Sequence, residues 1–259
     1  MTTAIPVKAT MPVKDFELDT ARISAHFIGG LVNLHTTVDS DEFHEVRATP
    51  HCLVYPTKGN TENPWDIHKI GDAIELVINE LCDEKAEKHD WRIVYVGTSS
   101  ECFSLTDLLE ETLGIHGDAT MVSEDRIAAV SKIAGDAINA RYTLFDQDIN
   151  EWDAMHCLMF NSNHHPGDTE CESSGPWKVV SLGEAVEHNI MNLCGFPFDS
   201  VDGNWHIVYV GTQMECKRAD EIFENSLEEM LGRSREMSSD ILRHIKEITD
   251  SETDQIIAS

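Results

Sequence analysis

Two kinds of segment alternate along this chain: unbroken apolar runs, and stretches in which apolar positions recur every three or four residues. They come in the same order twice. The unbroken run is Ile-Val-Tyr-Val, at Ile93–Val96 and again at Ile207–Val210. A run without polar alternation fits a pleated strand buried on both faces. Gly97-Thr98 and Gly211-Thr212 end the two runs as a turn should. Before each run stands a segment of helical period, IGDAIELVINELC at Ile70–Cys82 and LGEAVEHNIMNLC at Leu182–Cys194. Their spacing predicts amphipathic helices. After each run comes a second helical segment ending in Leu-Gly, Leu105–Gly114 and Phe223–Gly232. The glycine there reads as a helix C-cap.

The match between the two copies is literal at its centre. WRIVYVGTSSEC, Trp91–Cys102, and WHIVYVGTQMEC, Trp205–Cys216, agree at nine of twelve positions. Such self-similarity marks an internal duplication. It extends upstream: HCLVY at His51–Tyr55 matches HCLMF at His156–Phe160, and both read as strands. Arg22-Ile23-Ser24-Ala25 matches Arg126-Ile127-Ala128-Ala129 at the start of helical runs, and Pro64-Trp65 matches Pro176-Trp177. Each tryptophan stands directly before an apolar helix, where a hydrophobic staple is expected.

These patterns predict an α/β or α+β chain, a tandem duplication of an α-β-α-β-α unit, each with a buried strand pair joined by a helix. A thirteen-residue helix between two strands is long enough for a crossover, so a parallel pair is expected and an antiparallel one is the alternative. The expected organisation is an extended N-terminal arm at 1–14, unit one at 15–118, unit two at 119–232, and a C-terminal helix (Ser239–Ile248) with polar tail at 233–259. The strands 91–97 and 205–211 should be central, buried and equivalent, with Tyr95 and Tyr209 in matching places and Val94 and Val208 buried.

Charge changes the picture most. The 259 residues hold 47 acidic and 19 basic side chains, a net charge of −28. Residues 1–118 carry 21 acidic and 9 basic side chains, and 119–259 carry 26 and 10, so the acidity is spread over both units. Such a surface does not displace counterions from phosphates, which excludes ordinary nucleic-acid binding, and anionic membranes would repel it. The sequence has no apolar run of membrane-spanning length, and its start, MTTAIPVK, lacks the pattern of a signal peptide. Six of the seven cysteines fall into matching pairs, Cys52/Cys157, Cys82/Cys194 and Cys102/Cys216. Free thiols in a reducing, cytoplasmic setting are expected.

The candidate chemistry is sparse. The strand-end turns VGTxxEC hold Gly97, Thr98, Glu101 and Cys102, and again Gly211, Thr212, Glu215 and Cys216. Ligands of parallel α/β sheets sit at such places. One glycine makes no phosphate cradle, however, and a glutamate there repels an anion. Ser104 with Asp107 is the expected cap of the first following helix. His51-Cys52 and His156-Cys157 cannot form dyads along a strand, because neighbouring side chains point to opposite faces; packed core thiols are the plainer reading. The loop Asn161–Gly175 gathers His164, His165, Asp168, Glu170 and Cys171, a metal-like set within a run of turn formers. No cofactor motif is present.

The composition resembles that of acidic phage inhibitors of host defence. The reading that follows is a non-catalytic acidic binding protein, a DNA mimic that occupies a basic partner such as a host nucleic-acid-binding or defence enzyme. At one charge per about 1.7 Å of duplex, a charge of −28 equals that of roughly 14 base pairs. The alternatives are an α/β enzyme or small-ligand protein using the VGTxxEC turns, and a structural or assembly subunit using the arm and the C-terminal helix. Oligomeric state is open at this level.

Overall fold

The computed structural model describes residues 13–36, 38–39, 47–57, 64–82, 91–113, 123–162, 176–196 and 204–228. The chain is α+β, and among the described residues it has six helices and ten strands. The first half runs α1 (Val13–His35), β1 (Val38–Asp39), β2 (Arg47–Ala48), β3 (His51–Pro56), β4 (Asp66–Lys69), α2 (Ile70–Cys82), β5 (Trp91–Gly97) and α3 (Ser99–Leu113). The second half repeats that order as α4 (Glu124–Arg141), β6 (Thr143–Asp146), β7 (Glu151–Ala154), β8 (His156–Asn161), β9 (Trp177–Ser181), α5 (Leu182–Leu193), β10 (Trp205–Gly211) and α6 (Gln213–Glu228). The five-element unit expected from periodicity therefore gains three strands in each half.

The added strands decide the topology. Each half builds a three-stranded sheet, ordered β4-β3-β5 and β9-β8-β10, with every pair antiparallel. The expected parallel pair is thus overturned. β4 and β5 do run in the same direction, since each is antiparallel to β3, and α2 does connect them. They flank β3 instead of touching. Four to five residues of strand between Pro-Trp and the helix turn the chain around before the crossover begins. The tryptophans accordingly do not staple the helices. Trp65 packs on the ring of Tyr55 of β3, centroids 4.8 Å apart, and Trp177 packs on Phe160 of β8 at the same separation.

The repeated strands β5 and β10 lie at one end of their sheets, not in the middle as expected, yet they are buried. Helix α5 of the second half packs against β5, and α2 of the first half packs against β10. Each half covers the open edge of the other. This accounts for the unbroken Ile-Val-Tyr-Val run, which elsewhere signals a strand covered on both faces. One continuous apolar core runs through both halves, from Ala25 and Ile28 of α1 to Ala219 and Phe223 of α6. The register of β3 against β5 shifts between Leu53 and Val54, placing a bulge at Val94. The register of β8 against β10 shifts between Ile207 and Tyr209, placing the matching bulge at Val208.

Glycines set the helix pairs. α1 crosses α2 so closely that a Cβ on Gly29 would stand 2.5 Å from the Gly71 carbonyl oxygen, and α4 crosses α5 with Gly135 and Gly183 in the same relation, at 2.6 Å. One turn further on, Asn33 Oδ1 accepts the Gly71 amide at 2.8 Å, and Asn139 Oδ1 accepts the Gly183 amide at 2.9 Å. These asparagines satisfy N–H groups that a helix start leaves without a partner. The equivalence Gly29/Gly135 and Asn33/Asn139 shows that the match of Arg22–Ala25 with Arg126–Ala129 is out of register by two residues. Packing geometry, not the charged residue, holds the helix in place. Residues 1–12 of the expected arm and the C-terminal Ser239–Ile248 segment lie outside the described residues, as do Gly114 and Gly232, while Val13 and Lys14, expected in the arm, open α1.

Candidate functional site

The two VGTxxE turns are built alike. In the first, the Thr98 amide donates to Glu101 Oε2 at 2.8 Å, and the Glu101 amide donates to Thr98 Oγ1 at 3.2 Å. In the second, Thr212 and Glu215 repeat the exchange at 2.7 and 3.2 Å. This is a capping box, in which threonine ends the strand side and glutamate closes the first helical turn. It starts α3 at Ser99 and so corrects the expected cap at Ser104, which sits inside the helix and donates to the Ser100 carbonyl at 2.9 Å. Gly97 and Gly211 leave room for the carboxylates. A Cβ would stand 2.6 Å from Glu101 Oε2 and 2.4 Å from Glu215 Oε2.

The second oxygen of each glutamate reaches across to the other half. Arg141, the last residue of α4, donates to Glu101 Oε1. His35, the last residue of α1, holds its Nδ1 3.6 Å from Glu215 Oε1. With Asn33 equivalent to Asn139, His35 and Arg141 are equivalent positions, so one cross-half contact is made twice, once by an obligate cation and once by a titratable ring. Burial raises the Glu101 carboxyl, but the Arg141 guanidinium and the Thr98 amide outweigh it and hold the group below the usual carboxylate range. Thr98 and Glu101, like Thr212 and Glu215, thus spend their polar atoms on the helix start and on the joint between halves.

The thiols beside them face inward. Cys102 and Cys216 are fully buried. Burial, with the Glu101 charge adding to it, pushes the Cys102 thiol up to about 12, and burial together with Cys157 and Glu215 drives Cys216 well above its ordinary value. Cys52 and Cys157 are raised in the same way. Thiols of this kind are poor nucleophiles at neutral pH. The metal-like set His164, His165, Asp168, Glu170 and Cys171 lies outside the described residues. Among the described residues no group of three or more His, Cys, Asp and Glu side chains is placed to hold a metal ion.

A further polar cluster joins the halves and was not expected. Arg92 of β5, buried, donates to the Trp205 carbonyl and to Asn204 Oδ1 at the start of β10. The equivalent residue of β10 is His206, also buried, whose Nε2 lies 3.0 Å from Ser162 Oγ. Ser162 Oγ in turn accepts from Asn204 Nδ2 at 3.0 Å, and Asn161 Oδ1 accepts the Asn204 amide at 3.1 Å. A signal was present: within W-x-IVYVGT the one position that differs between copies is Arg92/His206.

The chain matches no protein-family model, no curated protein and no solved structure. No described helix is long and apolar enough to cross a membrane.

Proposed function

We propose that this chain is a non-catalytic acidic binding protein, a DNA mimic that occupies a basic, nucleic-acid-binding partner such as a host defence enzyme in the cytoplasm. The observation that carries the reading is the net charge of −28, spread over both halves of the molecule. Several basic side chains already face carboxylates, as in Arg141–Glu101, Arg218–Asp148, Lys132–Asp136 and Lys178–Glu184, so the surplus on the surface is acidic. The groups best suited to chemistry at the strand ends serve as helix caps or lie as buried thiols, which favours binding over catalysis. We also infer that the two halves descend from a tandem duplication, supported by their shared element order and the matching bulges at Val94 and Val208. Two acidic halves of like element order suit a partner of twofold symmetry.

The test is competition. The chain, immobilised, is offered basic nucleic-acid-binding proteins, and bound protein is challenged with duplex DNA and with rising salt. Displacement by both is expected, with a steep salt dependence. Binding that duplex DNA leaves untouched would overturn the mimicry.

A further inference from the structure

Helix α1 turns an apolar stripe outward. Ile23, Phe27 and Leu34 are exposed, at 49%, 52% and 57%, and the exposed Gly30 stands among them. At 3.6 residues per turn the four positions fall within an arc of about 60°. A Cβ on Gly30 would meet no other group within 4 Å, so the stripe has an open notch next to the Phe27 ring. The neighbouring Gly29 faces inward, and the crossing with α2 accounts for it but not for Gly30. A glycine in a helix interior weakens the helix, and nothing within the chain calls for this one.

The stripe is not part of the architecture the halves share. With Gly29 equivalent to Gly135, the matching positions of α4 are Ala129, Ile133, Asp136 and Ala140, and Asp136 pairs with Lys132 at 3.3 Å. The stripe also lies in the longest run of the chain without Asp or Glu, residues 20–38. The acids that α2 brings to its border are held by α1 itself. Glu75 Oε2 lies 3.0 Å from His26 Nδ1, and Asp72 Oδ1 accepts from Asn33 Nδ2 at 2.7 Å. A basic partner therefore finds little to select here, and nucleic acid is repelled by the charge of the chain.

We infer that this face of α1 docks on the same face of a second copy, as a twofold antiparallel helix pair. The stripe is complementary to itself, as an isologous contact requires. Phe27 and Gly30 stand equally far from the middle of the stripe, and so do Ile23 and Leu34. One antiparallel register thus sets each Phe27 ring into the Gly30 notch of the other copy and each Ile23 against Leu34. The same register brings Arg22 of each copy to the border where Asn33 of the other holds Asp72, which makes the charges at the rim opposite. A single helix face falls short of the roughly 800 Å² a side of a stable complex, so the pair is weak.

Sedimentation equilibrium of the full chain, from about 10 μM to 1 mM, reads the association. A monomer–dimer equilibrium is expected. It should strengthen with salt, because two chains of charge −28 repel each other until screened. Docking of a basic partner has the opposite salt dependence, so the acidic-binding reading does not stand or fall with this result. Phe27→Gln removes the ring and Gly30→Gln fills the notch, both at exposed positions and without a change of charge. Each should weaken dimerisation about tenfold or more while circular dichroism stays unchanged. Gly30→Gln should do so while raising the melting temperature of the dilute monomer. A chain that stays monomeric throughout the range at high salt would overturn the proposal. If Phe27→Gln then shifts the NMR signals of residues 239–248, the face belongs to the chain's own C-terminal segment. A dimer that neither variant weakens, or one that salt dissolves, is built on another surface and overturns the proposal equally.

Discussion

Asn189 of α5 donates its side-chain amide to the carbonyl oxygen of Ile93, 2.8 Å away, in the buried joint between the two halves. Ile93 is the last residue of β5 before the bulge at Val94. An asparagine stands among apolar neighbours on α5, where it supplies a donor to this backbone carbonyl of the other half. Asn189→Leu would leave the carbonyl buried without that donor and should cost about 1–3 kcal/mol, read from urea unfolding. An unchanged midpoint would show that the bond carries no weight.

Val94 and Val208 are fully buried at matching bulges. Val94→Asp or Val208→Asp places an unpaired charge in the core and should destabilise the chain by several kcal/mol, on the order of its whole stability. Loss of soluble, folded protein in both variants is the expected result, and a well-folded variant of either would contradict the burial of that strand.

Two neighbouring glycines of α1 should respond oppositely to alanine. At Gly29 the new methyl would meet the Gly71 carbonyl, whereas at Gly30 nothing lies within 4 Å. Gly29→Ala should force the helices apart and cost about 1–3 kcal/mol. Gly30→Ala should stabilise by about 0.5–1 kcal/mol, since a helix interior favours alanine. Thermal unfolding of the two single variants distinguishes a close helix crossing from a general intolerance of substitution.

The Glu101–Arg141 contact sets a pH dependence. Because the folded state depresses the Glu101 carboxyl, its contribution to stability is complete above the ordinary carboxylate range and fades as pH falls through the depressed value. Arg141→Gln should lower stability at neutral pH and leave it unchanged at low pH, so that the acid limb of the stability–pH curve flattens. The group is partly exposed, so the change is modest. An acid limb identical to wild type would place the titration elsewhere.

Thiol reactivity should follow burial. Cys102, pushed up to about 12, should react with a disulfide reagent at neutral pH only as fast as the protein opens, while Cys194, half-buried and raised to about 11, should lead it. Cys102→Ser should leave the native labelling rate unchanged. Rapid labelling of Cys102 would revive a chemical role for the strand-end turn.

Helix α2 was legible to the residue, because Ile70, Ala73, Ile74, Val77 and Ile78 all face the core at helical spacing. The strands were legible as buried and as partners, but not in the direction of their pairing. Asp66–Lys69 has a single apolar position, Ile67, and no alternation long enough to reveal β4. Without β4 the connection reads as a parallel crossover from β3 to β5; the two strands do pair, but β4 reverses the chain first and makes the pair antiparallel, the alternative stated from the sequence. The helix that covers β5 was also hidden, since an apolar run states that a surface is covered and not by what. The helix starts were within reach. Thr98-x-x-Glu101 is a capping signature, and reading Glu101 for its charge toward a ligand obscured its bond to the backbone. Gly29 with Asn33, and Gly135 with Asn139, recur at the same spacing, but their meaning depends on a second helix that periodicity cannot place.

The exchange of covers between halves has a consequence for synthesis on the ribosome. When β5 leaves the exit tunnel, α5, which will lie on it, has not yet been made. At about 5–20 residues per second, the hundred or so residues in between keep that strand waiting on the order of ten seconds. A nascent first half therefore presents Ile93, Val94 and Val96 with no native cover from its partner, and a ribosome stalled between the halves should draw chaperones that a finished chain does not.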